Sequence, residues 1–324
     1  MWAYLPKRKN MMHCRCSKVT CETGQTVDYP FRKGFELTDQ ALIQSYVDQY
    51  SPMSCEYNFS NLFSWNDTYE HLWGIYKNRI LIYDPAHSQA FMPMGEDLPP
   101  AELAELSTYL IRMGLCPDIG LVCRDYIEFF PQVEKYYSIE ENRDHAEYIY
   151  LTHKLSSLKG DKLHKKKNLI SQFEKLYPDY QIRSLHVGNL HEIADFTQLL
   201  LDRMDQVPRA LEIEHKAIQR CLNHFRELNM EGLVICVEDK VVAFSLFSRL
   251  NSFTYDIQFE KSDYSFKGAA QIINWKTAEF LKDKCRYINR EQDMGIQGLR
   301  QAKLSYDPEV LFIPYFLKYK GTDR

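Results

Sequence analysis

Predicted secondary structure elements follow the same order in both halves of the chain, and this repeat constrains the fold more than any single motif. In each half, amphipathic helical segments precede a hairpin, and a helix and a strand follow it. These segments lie at residues 38–50, 71–85, 99–114 and 118–130 in the first half, and at 191–204, 215–228, 231–250, 252–261, 267–284 and 285–291 in the second. Helices interleaved with strands predict an α/β fold of two related modules, joined near residues 156–168.

The length and composition of the chain agree with two modules. At 324 residues the chain is longer than one hydrophobic core usually supports. Hydrophobic residues make up 45% and charged residues 26%, which is typical of globular proteins. The net charge of −4 excludes a surface that is basic overall, so any contact with nucleic acid must come from a local patch.

The first residues differ from the rest of the chain because they show no hydrophobic periodicity. We expect residues 1–34 to form an irregular or disordered leader. The N-terminal domain is then predicted at residues 35–160 and the C-terminal domain at residues 161–324.

No segment has the features of a membrane span or a signal peptide. The longest apolar runs, such as "LVICV", are far shorter than the roughly 20 residues that cross a bilayer. We therefore expect a cytoplasmic protein. Cys14, Cys16 and Cys21 lie near His13, but they lack the second half of a zinc motif, and we assign no metal site.

A basic segment begins the second half. Its basic side chains, which would attract the phosphates of CoA or of an RNA end, are Lys162, His164, Lys165, Lys166 and Lys167. The apolar residues of the same segment recur at helical spacing, so a solvated helix face is the alternative interpretation. A second candidate for phosphate binding is Lys267–Gly268, at the start of a predicted helix, where glycine allows a ligand to approach the first amides. Simple helix-entry geometry explains this glycine equally well.

The most polar segment is "NREQDMGIQGLRQAKLSYDP", residues 289–308. Glu291 and Asp293 would lie on one side of an extended strand, where two carboxylates raise each other's pKa and can supply a general base. Arg300 and Lys303 would share one face of a short helix that follows. The alternative is a salt-bridged loop that attaches the C-terminal segment to the body of the protein.

Motifs of several other enzyme classes are missing from the sequence. It contains no GxGxxG, no Walker-type GxxxxGK[ST], no GxSxG, no HExxH and no CxxC pair. Dinucleotide-dependent oxidoreductases, nucleoside triphosphatases and metal-dependent hydrolases therefore lose their main support.

Three of these segments together resemble one family. Residues 161–180, 259–274 and 289–308 resemble the DUF2156 family, whose members share the phosphatidylglycerol lysyltransferase C-terminal domain. The resemblance runs from about Phe35 to the end of the chain. It implies two tandem GNAT-like acyltransferase domains, each a mixed, mainly antiparallel sheet flanked by helices. It also implies transfer of an aminoacyl group from a charged tRNA, which the lysyltransferase relatives pass to a lipid headgroup.

These observations lead to one functional hypothesis with two alternatives. The expected activity is transfer of an aminoacyl group from an aminoacyl-tRNA to an amine or hydroxyl of a small molecule or peptide. The alternatives are an N-acetyltransferase that uses acetyl-CoA, and a non-catalytic protein that binds RNA or another ligand. No cofactor is assigned beyond an aminoacyl-tRNA or acyl-CoA donor.

Each candidate residue has an expected role in this hypothesis. Glu291 or Asp293 would deprotonate the acceptor, Arg290 or Arg300 would stabilise the developing oxyanion, and Tyr306 would protonate the leaving group. The residues expected to hold the phosphates of the donor are Lys162, His164, Lys165, Lys166, Lys167, Lys267, Gly268 and Lys303.

Overall fold

The computed structural model describes residues 31–321, which contain two sheets and their flanking helices. The strands are β1 (Arg32–Lys33), β2 (Leu72–Tyr76), β3 (Arg79–Asp84), β4 (Gln89–Phe91), β5 (Ile119–Val122), β6 (Tyr137–Glu141), β7 (Glu147–Leu151), β8 (Gln181–Ser184), β9 (Glu231–Val237), β10 (Lys240–Arg249), β11 (Thr254–Ser262), β12 (Tyr287–Gln292), β13 (Val310–Phe312) and β14 (Tyr315–Tyr319). The helices are α1 (Gln40–Tyr50), α2 (Phe59–Ser64), α3 (Asn66–Tyr69), α4 (Pro100–Arg112), α5 (Arg124–Phe129), α6 (Thr152–Ser157), α7 (His164–Leu176), α8 (Leu190–Asp202), α9 (Arg209–Asn223), α10 (Ala269–Leu281) and α11 (Gln297–Leu304).

Most of the predicted leader lies outside the described residues, and so do Cys14, Cys16, Cys21 and His13. The described part of that leader, residues 31–34, includes strand β1, which pairs with β2.

Both predicted hairpins are confirmed, and their turns explain the register. The turn between β2 and β3 consists of Lys77 and Asn78, with φ values of 44° and 59°. The turn between β9 and β10 consists of Glu238 and Asp239, with φ values of 51° and 61°. Two consecutive left-handed residues match the right-handed twist of the flanking strands, which favours two-residue hairpins.

The prediction of one strand over residues 118–130 is wrong in its second half. Strand β5 ends at Val122, and α5 follows it. Tyr126 of α5 is buried, and its hydroxyl donates to the carbonyl of Leu98. A short run of apolar and aromatic residues has no periodicity that separates a buried strand from a helix, so the helix was not visible in the sequence.

The two sheets have equivalent strand orders. The first is β1-β2-β3-β4-β5-β14-β6, and the second, read from its other edge, is β8-β9-β10-β11-β12-β7-β13. Each contains one parallel pair, β4 with β5 and β11 with β12, whereas the other pairs are antiparallel. The prediction of two tandem GNAT-like domains with mixed, mainly antiparallel sheets is confirmed.

The two modules exchange one strand in each direction. Strand β7 comes from the first half but lies between β12 and β13 of the second sheet, and β14 crosses back to lie between β5 and β6 of the first. The parts of the chain on either side of the predicted boundary, between residues 160 and 161, therefore each contribute one strand to the sheet of the other part. A hydrophobic cluster also joins the halves, since Phe59 and Phe63 of α2 pack in the same core as Phe225 and Leu246.

The exchange makes a testable prediction for Leu317 of β14, which is fully buried in the core of the first module. Leu317→Ala is expected to lower the free energy of unfolding by about 2–5 kcal/mol, because it leaves a cavity in a core that relaxes only partly. Urea denaturation measures this change. Lys318→Ala is the matched control, because an exposed ion pair such as that of Lys318 with Glu140 contributes at most about 1 kcal/mol. Equal, small losses in both variants would contradict the insertion of β14.

Candidate active site

The second sheet opens at its parallel pair of strands. The pairing of β11 with β12 runs from Thr254 opposite Tyr287 to Asp256 opposite Asn289. Beyond these residues β11 continues to Ser262 and β12 to Gln292, but the two strands no longer pair with each other. Glu291 lies where the register between β12 and β7 shifts, and its φ is 57°. A non-glycine residue in this conformation costs about 1–3 kcal/mol, and such residues concentrate at functional sites.

A buried acidic pocket lies beside this opening. The side-chain amide of Asn61 donates to Glu291 Oε1 at 2.8 Å and to Asp256 Oδ2 at 3.1 Å. Asp256 is fully buried. The thiol of Cys55 and a carboxylate oxygen of each acid lie within 4.8 Å of one another. Among the described residues, this is the set whose donor atoms lie close enough to hold a metal ion.

Asparagine side chains hold Asp256 in place, and Ser248 and Gln258 support one of them. Asn58 donates to Asp256 Oδ2 at 3.1 Å and to Ser248 Oγ at 3.1 Å, and Gln258 donates to Ser248 Oγ at 2.6 Å. Within residues 31–321, Asp256 Oδ1 and Asn61 Oδ1 have no hydrogen-bond partner. Unsatisfied acceptors in a buried site are costly, and they point to a donor that a ligand supplies.

The electrostatics of the pocket favour a cation. Burial raises the pKa of Glu291 to about 8, despite the hydrogen bond from Asn61. Burial also raises the pKa of Asp256 well above its usual value, and the neighbouring Glu291 and Glu147 raise it further. Two carboxyls that resist ionising together become fully ionised only when a positive charge is near.

Cationic side chains lie next to this acidic pocket. The ammonium of Lys303 donates to the carbonyls of Arg290, Glu291 and Gln292 at the end of β12. Arg290 forms an ion pair with Glu260 at 2.5 Å. Burial lowers the pKa of Lys303 to about 8, although the nearby Glu291 opposes the shift.

Tyr306 joins helix α7 to this group. The Nζ atom of Lys166 lies 4.2 Å from the centroid of the Tyr306 ring, and Arg290 Cζ lies 5.2 Å from it. Burial and the charge of Arg290 lower the pKa of Lys166. Of the basic residues predicted in the segment, Lys166 therefore faces the opening, whereas His164, Lys165 and Lys167 are exposed to solvent. Lys162 is also exposed and forms an ion pair with Asp307 at 2.6 Å.

The predicted pairing of Glu291 with Asp293 on one face is wrong. The left-handed conformation of Glu291 interrupts the alternation of the strand, so the two carboxylates have different partners. Asp293 accepts from Arg143 at 3.0 Å, from Tyr148 at 2.5 Å and from Arg300 at 2.8 and 2.9 Å. Arg300 also binds Asp144 at 2.8 Å. Asp293 and Arg300 thus form the salt-bridged connection that was the alternative interpretation of this segment, and this arrangement argues against their acting as base and oxyanion donor.

Gly268 and Lys267 lie at the start of α10, as predicted, but Gly268 contacts the protein itself. A Cβ atom at Gly268 would lie 2.5 Å from the carbonyl oxygen of Leu169 in α7, and the φ of Gly268 is 91°. The glycine therefore allows close packing of α7 against α10. Lys267 and the neighbouring Tyr264 are exposed, and 95% of the Tyr264 surface is accessible.

Sequence reasoning missed the contributions of Asn58, Asn61 and Cys55, which come from the first half of the chain. It also missed Asp256. A charged residue inside an apolar strand was the available signal, because aspartate is almost never fully buried without a reason. The residues from the first half carried no signal, because only the tertiary fold brings them to the second sheet.

Residues 31–321 contain no helix that is both long and apolar enough to cross a lipid bilayer.

The two tandem GNAT-like sheets, each with one parallel pair of strands, define the fold class of this protein. The chain belongs to the family described as phosphatidylglycerol lysyltransferase, C-terminal, whose model matches residues 48–318. The family resemblance predicted from the three sequence segments is thereby confirmed.

Two solved structures and one curated relative are similar to this chain. A conserved protein of unknown function from Bacteroides thetaiotaomicron is 29% identical, with a TM-score of 0.83 over 90% of this chain and 99% of that one. The C-terminal DUF2156 domain of a putative lysylphosphatidylglycerol synthetase from Agrobacterium fabrum is 11% identical, with a TM-score of 0.58 over 86% and 92% of the two chains. An uncharacterised protein of Mycoplasmoides gallisepticum is 23% identical over 172 residues, which are 53% of this chain and 55% of that protein. This chain thus matches about half the length of its curated relative.

The salt bridges of Asp293 make a prediction about acid stability. The hydrogen bonds from Arg300 and Tyr148 outweigh burial and lower the pKa of Asp293 to about 2. Because the pKa is near 3.9 in the unfolded chain, this stabilisation is present above pH ~4 and is lost as the pH falls toward 2. Asp293→Asn should lower the free energy of unfolding at pH 7 by about 2–4 kcal/mol, and the difference should shrink below pH ~4. Urea titrations across pH measure both effects.

Asp144→Asn serves as the control for that prediction, since the Asp144 side chain is 66% exposed and its ion pair with Arg300 contributes little. The interpretation fails if the two variants lose the same free energy, or if the loss from Asp293→Asn does not depend on pH.

A second prediction concerns Gly268. Gly268→Ala should lower the free energy of unfolding by about 2–4 kcal/mol, because the methyl group meets a main-chain carbonyl and the left-handed backbone is strained. Gly114→Ala separates the two causes, because Gly114 has a φ of 71° and no residue beyond its chain neighbours has an atom within 4 Å of the position that its new methyl group would take. It should lose only about 1 kcal/mol. Equal losses in urea denaturation would show that the packing against Leu169 carries no cost.

Proposed function

We propose that this protein transfers an aminoacyl group from the end of an aminoacyl-tRNA to an amine or hydroxyl acceptor. The observation that carries the proposal is the acidic pocket of Asp256 and Glu291 next to the cationic group of Arg290, Lys303 and Lys166. An aminoacyl ester of a nucleotide carries a positive ammonium close to the reacting carbonyl and negative phosphates farther away. The acidic pocket is complementary to the ammonium of such a donor, and the cationic group next to it is complementary to the phosphates.

The acidic pocket favours an aminoacyl donor over an acetyl donor. An acetyl group has no charge and no hydrogen-bond donor, so it would leave Asp256 Oδ1 and Asn61 Oδ1 unsatisfied. An ammonium group supplies up to three donors and the positive charge that both carboxyls need to ionise. This assigns Glu291 to binding of the donor ammonium, in place of the general-base role expected from the sequence.

The surface around the opening suits a nucleic acid end. Lys162, Lys165 and Lys167 are exposed on the same segment as Lys166, where they can contact phosphates. The exposed ring of Tyr264, three residues before Lys267, offers a surface on which a base can stack.

The reaction requires a group that protonates the leaving hydroxyl of the ribose. Lys303 fits this role, because its pKa of about 8 leaves it protonated but able to release a proton near neutral pH. One of its three N–H groups would turn from a carbonyl at the end of β12 to the leaving oxygen. Tyr306 was expected in this role, but burial raises its pKa to about 12, which makes its hydroxyl a weaker acid. Tyr306 instead supports Arg290 and Lys166 through its ring.

A stable donor analogue tests the proposal. The probe is 3′-amino-3′-deoxyadenosine whose 3′ nitrogen carries an amino acid in amide linkage, and the form N-acetylated on the amino acid lacks the ammonium. Calorimetry should show binding of the first compound and at least about tenfold weaker binding of the second, because the buried carboxyls lose their counter-charge. Asp256→Asn should weaken binding of the first compound by a similar factor, and the exposed Glu128→Gln is the matched control.

The outcomes separate the competing functions. Binding of CoA without binding of the analogue would favour the acetyltransferase. Equal affinity for the two analogues would remove the ammonium pocket from the proposal. Binding of the analogue without any release of the amino acid from charged tRNA would favour a non-catalytic RNA-binding protein.

A further inference from the structure

A second group of titratable side chains faces the same region from the first module. Asp84 ends strand β3, and His87 follows it in the turn before β4. The rings of His145 and Tyr69 lie 5.7 and 6.0 Å from the ring of His87. None of these residues takes part in the donor site described above.

Asp84 fixes the orientation of the His87 ring. Nδ1 of His87 lies 2.5 Å from Asp84 Oδ2, and Asp84 Oδ1 accepts from the backbone amides of Ala86 at 2.9 Å and His87 at 3.3 Å. Asp84 is buried, whereas the side chain of His87 is 28% exposed. A carboxylate on Nδ1 holds the proton on that nitrogen, which leaves Nε2 with a lone pair that can accept a proton.

Glu56 connects His87 with the donor pocket. Glu56 Oε1 accepts from the side-chain amide of Gln292 at 2.9 Å, and Gln292 directly follows Glu291. Burial, Glu147 and Asp84 raise the pKa of Glu56, and the charge of His87 opposes this rise in part. Burial raises the pKa of Tyr69, and the charges of Glu56, Asp84 and Glu291 raise it further, so Tyr69 lies near all three carboxyls. Glu56, Tyr69, His87 and Glu291 are all partly exposed, so a small molecule can reach this wall of the opening.

We propose that the acceptor binds at this wall, and that His87 takes the proton from its attacking amine or hydroxyl while Asp84 acts as a positioning residue. The inference rests on the proposed aminoacyl transfer. It adds a general base from the first module to a donor site that lies mainly in the second.

The proton and bond changes balance without another reactant. The acceptor nitrogen or oxygen attacks the ester carbonyl carbon and loses one proton to His87 Nε2. The new C–N or C–O bond forms, and the bond from the carbonyl carbon to the ribose oxygen breaks. That oxygen leaves with a proton from Lys303, and proton exchange with solvent restores His87 and Lys303.

The charged groups around His87 determine its pH dependence. Burial alone would lower its pKa, but the hydrogen bond and the charge of Asp84, together with Glu56, raise it above the usual value. The groups that face it from neighbouring elements are Asp84, Glu56, Tyr69, His71 and His145. Burial lowers the pKa of His71 to about 4 and also lowers that of His145, so both are neutral at pH 7. Because protonated His87 cannot accept a proton, transfer should fall as the pH drops through its pKa.

His87→Gln tests the inference. The readout is release of the amino acid from charged tRNA, with water or with ethanolamine, which carries both an amine and a hydroxyl, as the nucleophile. The variant should release the amino acid about 10²–10⁴-fold more slowly and lose the acid limb of the pH profile, because general-base catalysis contributes about that factor. Its affinity for the amide-linked donor analogue should equal that of the wild type. Asp84→Asn should move the acid limb to lower pH, and exposed His191→Gln is the matched control.

Each result decides between the two proposals. If the wild type fails to bind the donor analogue, the proposed function fails. If it binds the analogue but does not stimulate release with either nucleophile, or if His87→Gln retains the wild-type rate and pH profile, the role of His87 is overturned. If His87→Gln loses affinity for the analogue in parallel with the rate, His87 acts on the donor or on the fold, and the inference also fails.

Discussion

A buried carboxylate, that of Glu147, holds the parts of this site together. Glu147 lies in the exchanged strand β7 and is fully buried. It accepts from the hydroxyl of Ser54, from the backbone amide of Cys55 at 2.8 Å and from the side chain of Asn289 at 2.6 Å. Burial raises its pKa against these three hydrogen bonds. Because a buried carboxyl without partners costs several kcal/mol, the donors must assemble around it when the protein folds.

The donors to Glu147 come from two different modules, and this determines the geometry of the site. Ser54 and Cys55 belong to the first half, whereas Asn289 lies in β12. Once they are attached to Glu147, the adjoining turn and α2 bring Asn58 and Asn61 against Asp256 and Glu291. The acidic pocket is therefore formed at the contact of the modules. Neither sheet alone contains both the carboxylates and the amides that position them.

Local patterns predicted much of the fold, and the reasons are physical. Helix α4 begins at a proline and ends before Gly114, and both hairpins have short turns, so these elements are determined by residues near in sequence. Glu291 was recognised as a candidate because it stands in a conspicuous polar segment. The strand exchange and the pairing of Asp256 with Asn58 and Asn61 depend on contacts between distant residues. A hydrophobic period of two or 3.6 residues carries no information about those contacts.

The segment from residue 289 to 308 combines two roles that looked like alternatives in the sequence. Its left-handed residue at Glu291 separates them by turning one carboxylate toward Asn61 while Asp293 stays with the arginines. The salt bridges of Asp293 stiffen the end of β12, and this stiffness supports the strained conformation next to it. Charges that form structural salt bridges and charges that line the pocket can therefore alternate along one short stretch without neutralising each other.

The return of β14 to the first sheet has a consequence for biosynthesis. A ribosome releases the residues of the first module early, but the gap between β5 and β6 stays open until residue 319 has been made. Until then, Tyr137 and the neighbouring core of the first module lack the cover of Leu317. The nascent chain thus carries an unfilled strand position through most of its synthesis, and such an unpaired edge is a place where chaperones or other chains can bind.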